Sequence, residues 1–454
     1  MSTRQKIAVI PGDGIGKEVI PQAVKVIETT KAPVDLSYFD WGADRYLKDG
    51  TTVPPDGFEM LARDFDAILV GAFGDPRVPS NIHAKEILLG MRFKMDLYAN
   101  VRPVRLLDAS LCPLKGMEPK DIDFVVIREN TEGPYVDRGR ITDKGTEDEV
   151  AIQEDVNTYK GVLRIIRYAF EYCAHNKKAD GTPRARVLMC DKSNAMTYAG
   201  GLWQRVFKEL SGEYPQIKSE HMYVDALCAQ MVRDPRQFDV IVTNNMFGDI
   251  ITDLAAGLQG GLGMAASGNI HPGRTSMFEP VHGSAPPLAG KNIANPMGAI
   301  LTAAMMLRHL GFSREARRIE DEILEAVRQK RTTQDIGGEL GAREVGEWIS
   351  KSKFVAYVGD PDFHDGAIIR VTSEADQLLV EIEGFSGAQF SVRFDGVKSV
   401  FSHKPEDMTI DALVEMEAPP PSRRFVFTNS YEPEDEGGDS YLDITAENLS
   451  VKKV

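Results

Sequence analysis

Cysteine is scarce in this sequence. Four are present among 454 residues (Cys112, Cys173, Cys190 and Cys228), and no two stand in a CxxC or metal-finger spacing. The pattern argues against a disulfide framework or a zinc finger and reads as the reduced thiols of a cytosolic protein. Long apolar runs are missing as well. No stretch approaches the roughly 18–20 residues that a membrane span requires. The opening MSTRQKIAVIPGDG enters a strand-like run without a signal-peptide core. Positive charge is in deficit: 53 Lys/Arg stand against 68 Asp/Glu, a net −15, so the electrostatic footprint of a nucleic-acid binder is lacking. The expectation is a cytoplasmic protein that engages neither nucleic acid nor membrane.

What is present is an ordinary globular balance. Hydrophobic residues make up 42% and charged residues 27%, which argues against wholesale disorder. The length suits two or three domains. Charge is unevenly placed, because residues 355–454 hold 20 acidic and 8 basic side chains. That asymmetry marks a separate C-terminal unit.

Short β-rich runs recur at 6–10 (KIAVI), 66–70 (DAILV), 123–127 (DFVVI), 186–189 and 239–243 (DVIVT). Each ends in a polar or glycine-rich turn and precedes a helical pattern. Repeated strand–loop–helix units predict an α/β fold with a largely parallel sheet, and ligands gather at the carboxyl ends of such strands. Residues 133–151 are polar and alternating, as in an inserted antiparallel arm. Helical spacing fills 297–310, 314–330 and 342–351, closing the first unit near Phe354. Beyond it the period becomes two: Leu378, Val380 and Ile382, then Phe390, Val392 and Phe394, then Phe425 and Phe427, then Leu442 and Ile444. Residues 363–454 are therefore expected to form a small, mainly antiparallel β domain, with loops at 419–421 and 432–439.

Three clusters could carry chemistry. Arg92, Arg102 and Arg128 would hold a polycarboxylic acid if they converged, since a guanidinium fork matches a carboxylate; surface salt bridges are the alternative. Asp249 and Asp253 lie four apart, on one helix face. Their repulsion would be relieved by an oxygen-preferring cation such as Mg²⁺ or Mn²⁺, or they serve only the dipole at a helix start. The loop His282–Pro296 (HGSAPPLAGKNIANP) exposes backbone amides ahead of a helix, which suits phosphate or adenine. No GxGxxG follows the first strand, because GDGIG has the wrong spacing, so a Rossmann site is unsupported.

PGDGIGKEV, LYANVRP, IRENTEGPY, DKSN, YVDA, NNMFGDIITD and EPVHGSAP occur in this order. Together they resemble the β-decarboxylating dehydrogenases, the isocitrate/isopropylmalate dehydrogenase family, over residues 1–352. GTEDEVA, VNTYKGV and AGGLW are most similar to its actinobacterial 3-isopropylmalate branch. The resemblance implies a two-domain fold of that family, not a Rossmann fold. Residues 1–100 and 255–354 would form the cofactor domain, and 101–254 the substrate and dimerisation domain with its arm. It also implies roles. Arg92, Arg102 and Arg128 would bind the malate carboxylates. Asp249 and Asp253, with Asp225 from a partner subunit, would hold Mg²⁺ or Mn²⁺ against the substrate. Lys192, also from the partner, would take the hydroxyl proton, and Tyr135 would protonate carbon. His282, Gly283, Ser284, Ala285, Pro286 and Asn295 would wrap the adenosine of the dinucleotide, with Asp335 nearby.

For the substrate, Glu86 and Leu88 stand where isocitrate enzymes carry Ser and Asn, and a carboxylate there disfavours isocitrate. Leu88 and Leu89 match the apolar contacts for an isopropyl group. Lys85 and Ala195 depart from the usual isopropylmalate pattern, and tartrate or D-malate is the competing substrate. A non-catalytic scaffold or regulatory paralogue is the competing class. Pro287-Leu288 offers neither the acidic residue of NAD-type members nor the Lys-Tyr of NADP-type members. Residues 333–338 (TQDIGG) resemble the NAD-type segment and favour NAD. His364-Asp365 reads as a structural turn rather than a metal site.

Overall fold

The runs expected to be strands are strands in the computed structural model, which describes residues 4–351, 354–406, 408–410, 412–416, 418, 421–428 and 441–454. The chain divides into two units, Met1–Lys351 and Ser352–Val454. The first is built on a ten-stranded sheet. In chain order its strands are β1 (Gln5–Gly12), β2 (Val34–Tyr38), β3 (Ala67–Ala72), β4 (Ala99–Arg105) and β5 (Asp123–Glu129). A separate two-stranded hairpin follows, β6 (Gly139–Thr142) and β7 (Val150–Gln153). The sheet resumes with β8 (Arg186–Asp191), β9 (Lys218–Tyr223), β10 (Val240–Thr243), β11 (Ala266–Ile270) and β12 (Ser276–Pro280).

The spatial order is β2-β1-β3-β12-β11-β4-β5-β10-β8-β9. Both flanks are parallel: β1 with β2 and β3, β12 with β3, and β10 with β5 and β8. Here the reason is composition. β3 (AILVGA) and β10 (VIVT) are buried at every position, as strands covered on both faces must be. Helices supply the cover. Ile7, Val9 and Leu69 face one apolar cluster, while Ala8, Ile10, Ile68 and Val70 face another. The centre departs from the parallel expectation, because β11 runs antiparallel to both β12 and β4, and β4 antiparallel to β5. These strands read ANVRPVR and ASGNI, and their buried polar residues hide the strand signal.

The hairpin β6–β7 is exposed along its whole length. Among the described residues, the four cysteines are free thiols, and no helix is long and apolar enough to cross a membrane.

The second unit contains β13 (Phe354–Tyr357), β14 (Gly366–Glu374), β15 (Gln377–Glu383), β16 (Gln389–Asp395), β17 (Ser399–His403), β18 (Thr409–Ile410), β19 (Ala412–Met416), β20 (Arg423–Thr428), β21 (Tyr441–Ala446) and β22 (Asn448–Lys453). They form two five-stranded sheets, β13-β19-β20-β21-β17 and β18-β14-β15-β16-β22, antiparallel throughout. The alternation works as its period requires. Leu378, Val380, Ile382, Phe390, Val392 and Phe394 of one sheet meet Leu413, Phe425, Phe427, Leu442 and Ile444 of the other in one core, as in a β-sandwich. Phe394 and Phe425 touch with ring centroids 5.4 Å apart. The unit begins earlier than residue 363 because β13, whose FVAY lacks alternation, pairs with β19. His364 bonds Asp365 at 3.0 Å on the surface, and Asp365 adopts φ +58°, which is a turn. Of the two expected loops, all but Pro421 lies outside the described residues.

Candidate active site

The register of the central antiparallel strands builds a polar face. Asn269 on β11 lies opposite Asn100 on β4, which lies opposite Arg128 on β5. Directly opposed residues share a face, as do residues two apart. Arg102 joins that face from β4, and Glu279 joins from β12, where it opposes Ser267. The side chains then link in a buried chain. Arg92, on the helix Gly90–Lys94, donates to Glu279 at 2.7 Å, and Asn269 donates to the same oxygen at 3.0 Å. Asn100 and Asn130 donate to Asn269 at 3.0 and 2.8 Å, and Arg102 donates to Asn100 at 2.6 Å. All are buried.

The helix Asn245–Gly257 closes over this face. Asn244 caps it, accepting from the Phe247 N–H at 2.9 Å. Arg128 donates twice to Asn245, at 3.0 and 2.8 Å, and once to Asp249. Arg102 donates to Thr252 at 2.5 Å and lies 3.6 Å from Asp249. Gly248 permits the approach, since a Cβ there would sit 2.5 Å from Arg128 Cγ. Tyr135 donates to Asp249 at 3.2 Å, with the Arg128 guanidinium 5.5 Å from its ring centre. Asp253 follows one turn along the same helix.

Three buried guanidiniums share two carboxylate partners, Glu279 and Asp249. Burial, then the nearby Arg128, pushes Arg102 down to about 9, and burial followed by Arg92 lowers Arg128. Both remain cations at neutral pH and favour an anionic ligand. Burial alone would raise Asp249, but Arg128 and Arg102 outweigh it and hold it below the ordinary range. Burial raises Asp253. Burial and then Asp249 raise Tyr135, which keeps its phenol protonated.

Leu88 and Leu89 are half-buried on a π-helical turn, Lys85–Leu89, just ahead of Arg92. Leu88 packs on the cluster of Ile87, Met91 and Phe58. Glu86 is exposed and accepts from Thr52 at 2.5 Å. Lys192 and Asp225 are brought to each other rather than to the arginines: their ion pair measures 2.6 Å, with Asp225 68% exposed. The Lys192 hydrogen bond holds Asp225 below its usual range. Among the described residues, no three acidic, His or Cys side chains cluster as a metal site.

The loop after β12 is braced from several sides. His282 is buried, and its Nδ1 lies 3.0 Å from the Gly283 carbonyl, which can only accept; its Nε2 has no partner among the described residues. Burial lowers its pKa. Ser284 O accepts from Ile15 N–H at 2.9 Å. Ala285 adopts φ +40°, and Pro286–Leu288 form a 3-10 turn. Asn295 donates to Asp335 at 3.0 Å, and Glu18 accepts from the Gly290 and Asn292 amides.

The family model for isocitrate/isopropylmalate dehydrogenase matches residues 6–349. The chain belongs to that family. Among curated relatives of this dehydrogenase-family chain, the 3-isopropylmalate dehydrogenase of Thermobifida fusca is 46% identical over 76% of the chain and 99% of its own length. That of Streptomyces coelicolor is 45% identical over 76% and 100%. Among solved structures, isocitrate dehydrogenase from Methylococcus capsulatus is 37% identical with TM-score 0.69, covering 76% of the chain and 98% of that protein. The TT0538 protein from Thermus thermophilus is 31% identical with TM-score 0.69, covering 98% and 87%. That last likeness extends into the second unit, which the other three leave uncovered.

Several residues of this dehydrogenase-family site escape a sequence reading. Glu279, Asn100, Asn245 and Thr252 supply most of the hydrogen bonds to the arginines, and Asn269 ties Glu279 to Asn100 and Asn130 behind them, yet none carries a distinctive spacing of its own. The available signal was polarity recurring every second residue, as Asn100-Val101-Arg102 and Ser267-Gly268-Asn269, inside a unit otherwise made of apolar strands.

Proposed function

We propose that this chain catalyses the oxidative decarboxylation of 3-isopropylmalate to 4-methyl-2-oxopentanoate with NAD and Mg²⁺ or Mn²⁺, a step of leucine biosynthesis in the cytoplasm. The observation that carries it is the convergence of buried Arg92, Arg102 and Arg128 with Asp249 and Tyr135, beside the half-buried Leu88 and Leu89. Three guanidiniums suit a dicarboxylate, and two leucines suit an isopropyl group. Discrimination by such an apolar pocket is worth about 1–3 kcal/mol per methylene.

The donor sets fit the two absent groups. Asp249 and Asp253 present hard carboxylate oxygens on one helix face, suited to Mg²⁺ or Mn²⁺ rather than zinc. The unpaired Nε2 of buried His282 is an acceptor suited to an amino group such as that of adenine, beside the Gly283–Ala285 backbone. When bound, the dinucleotide would supply the hydride acceptor, and a divalent cation held by Asp249 and Asp253 would supply Lewis-acid stabilisation of negative charge on the substrate. The protein's own groups do the rest. The arginines fix both carboxylates, Lys192 accepts the hydroxyl proton, and Tyr135, kept as a phenol, returns a proton to carbon after CO₂ departs.

Lys192 and Asp225 pair with each other and hydrogen-bond none of the three arginines, and this supports a homodimer in which each subunit completes the other's site. Exposed apolar residues fit such an assembly: Val232 and Ile250 on helices, and Ile141, Val150 and Ile152 on the hairpin. In this reading 1–100 with 255–354 holds the cofactor, 101–254 holds substrate and partner, and the second unit carries no catalytic group. A substrate panel followed by NADH absorbance tests it. Higher kcat/KM on tartrate, D-malate or isocitrate than on isopropylmalate overturns the substrate, and no turnover on any of them points to a scaffold.

A further inference from the structure

Outside the arginine pocket, the first unit buries a second ionisable pair. Asp13, in the PGDGIG turn after β1, is 1% exposed, and His83 is fully buried. Asp13 accepts from the Ala43 N–H at 2.7 Å and the Gly74 N–H at 3.0 Å, and lies 2.8 Å from His83 Nε2. A carboxylate only accepts, so Nε2 carries the hydrogen. Tyr46 stacks on the imidazole at 6.2 Å.

Both ends of this pair reach toward a binding region. On the Asp13 side, the turn presses on the loop after β12: Ile15 N–H bonds Ser284 O, and a Cβ on Gly14 would lie 2.0 Å from that oxygen. Gly74, held by Asp13, sits where its own Cβ would be 3.0 Å from Ser284 Oγ. On the His83 side, the residue opens a continuous helical run, Ile82–Ala84, Lys85–Leu89 and Gly90–Lys94. At about 1.5 Å per residue that run carries a shift at His83 to Leu88, Leu89 and Arg92.

We infer that Asp13 and His83 are positioning residues: the hydrogen-bonded pair locks the segment bearing Leu88, Leu89 and Arg92 to the loop bearing Ser284, so it sets dinucleotide and substrate affinity together. The inference rests on the dehydrogenase reading above. A merely structural pair would lower thermal stability and leave the folded protein's affinities alone.

The experiment compares three variants of the full chain by NADH fluorescence titration, steady-state KM and kcat, and thermal melting. His83→Gln places an amide N–H near the Nε2 position, His83→Asn falls short of Asp13, and His83→Leu removes the donor. Asn and Leu are expected to weaken NADH binding tenfold or more and to raise KM for both substrates, with kcat changed less than threefold. Gln is expected to restore NADH affinity to within about threefold of wild type. If Leu does not fold, the Gln-against-Asn comparison decides alone. Equal NADH affinity in Gln and Asn, or a lowered Tm with unchanged affinities, overturns the inference. Wild-type protein that binds NADH but oxidises no hydroxy acid would sink the substrate assignment, while the titration still judges the pair. Wild-type protein that binds no NADH overturns both.

Discussion

Replacing Arg128 with lysine separates charge from geometry at the centre of the site. The guanidinium is 1% exposed and donates three hydrogen bonds, two to Asn245 and one to Asp249. Its stem is pressed under Gly248, so lysine fits the channel but ends in a single ammonium. That ammonium cannot span Asn245 and Asp249 while also offering a fork to a substrate carboxylate. At least one charged hydrogen bond within the protein and one to the substrate are lost, each worth about 1.5–3 kcal/mol. The substrate bond alone is worth about 10- to 150-fold in kcat/KM, and the bond lost within the protein lowers folding stability instead. If attraction by positive charge were all that mattered, the lysine variant would lose little. The assay is NADH formation from isopropylmalate with saturating NAD and Mg²⁺, paired with a thermal melt to show that the variant is folded. A folded Arg128→Lys protein within threefold of wild-type kcat/KM refutes the bidentate argument.

Pro287→Asp adds an acceptor for the adenosine ribose hydroxyls and should lower KM for NAD about fivefold or more, for a gain of about 1–3 kcal/mol; an unchanged KM shows that residue 287 does not face the ribose. Ile141→Asp with Val150→Asp should push light-scattering mass toward monomer and abolish turnover, since both side chains are exposed on the hairpin; an active monomer refutes the shared site. A chain ending at Lys351 should fold and keep its kcat, because every proposed catalytic group lies before residue 352; a folded but inactive product assigns the second unit to the site. Asp75, hydrogen-bonded by Arg77, is held down at about 2. A depressed carboxylate contributes stability above its ordinary value near 4 and loses it as pH falls toward 2. Asp75→Asn should therefore flatten that acid limb in urea midpoints measured against pH. At pH 7 it should cost under about 1 kcal/mol, because Arg77 is largely exposed.

How much could be read in advance followed from physical redundancy. β3 and β10 were legible because burial on both faces demands an unbroken apolar run, and the sandwich was legible because one buried face demands alternation. Arg102 and Arg128 stood out as arginines inside the motifs LYANVRP and IRENTEGPY. Asn100, which orients Arg102, and Asn269, which ties Asn100 to the Glu279 that holds Arg92, did not, because the Asn100–Asn269 link lies in cross-strand register between residues 169 apart. The antiparallel centre was hidden for the same reason: β4 and β11 carry the polar face and so imitate loops. Lys192 and Asp225 were found through their motifs, and their pairing within one chain was not foreseeable from a 33-residue spacing.

The strand order also dictates a schedule for synthesis. β3 is flanked by β1 and by β12, with Ala67 opposite Ser276, so its second neighbour leaves the ribosome roughly 200 residues later. At about 5–20 residues per second that is a wait of some 10–40 s. In the interval β4, β5, β8, β9 and β10 all emerge in one contiguous stretch and can pair among themselves. The block translated first is therefore the last to be completed. Until then AILVGA presents an open, wholly apolar strand edge, the template on which nascent chains aggregate.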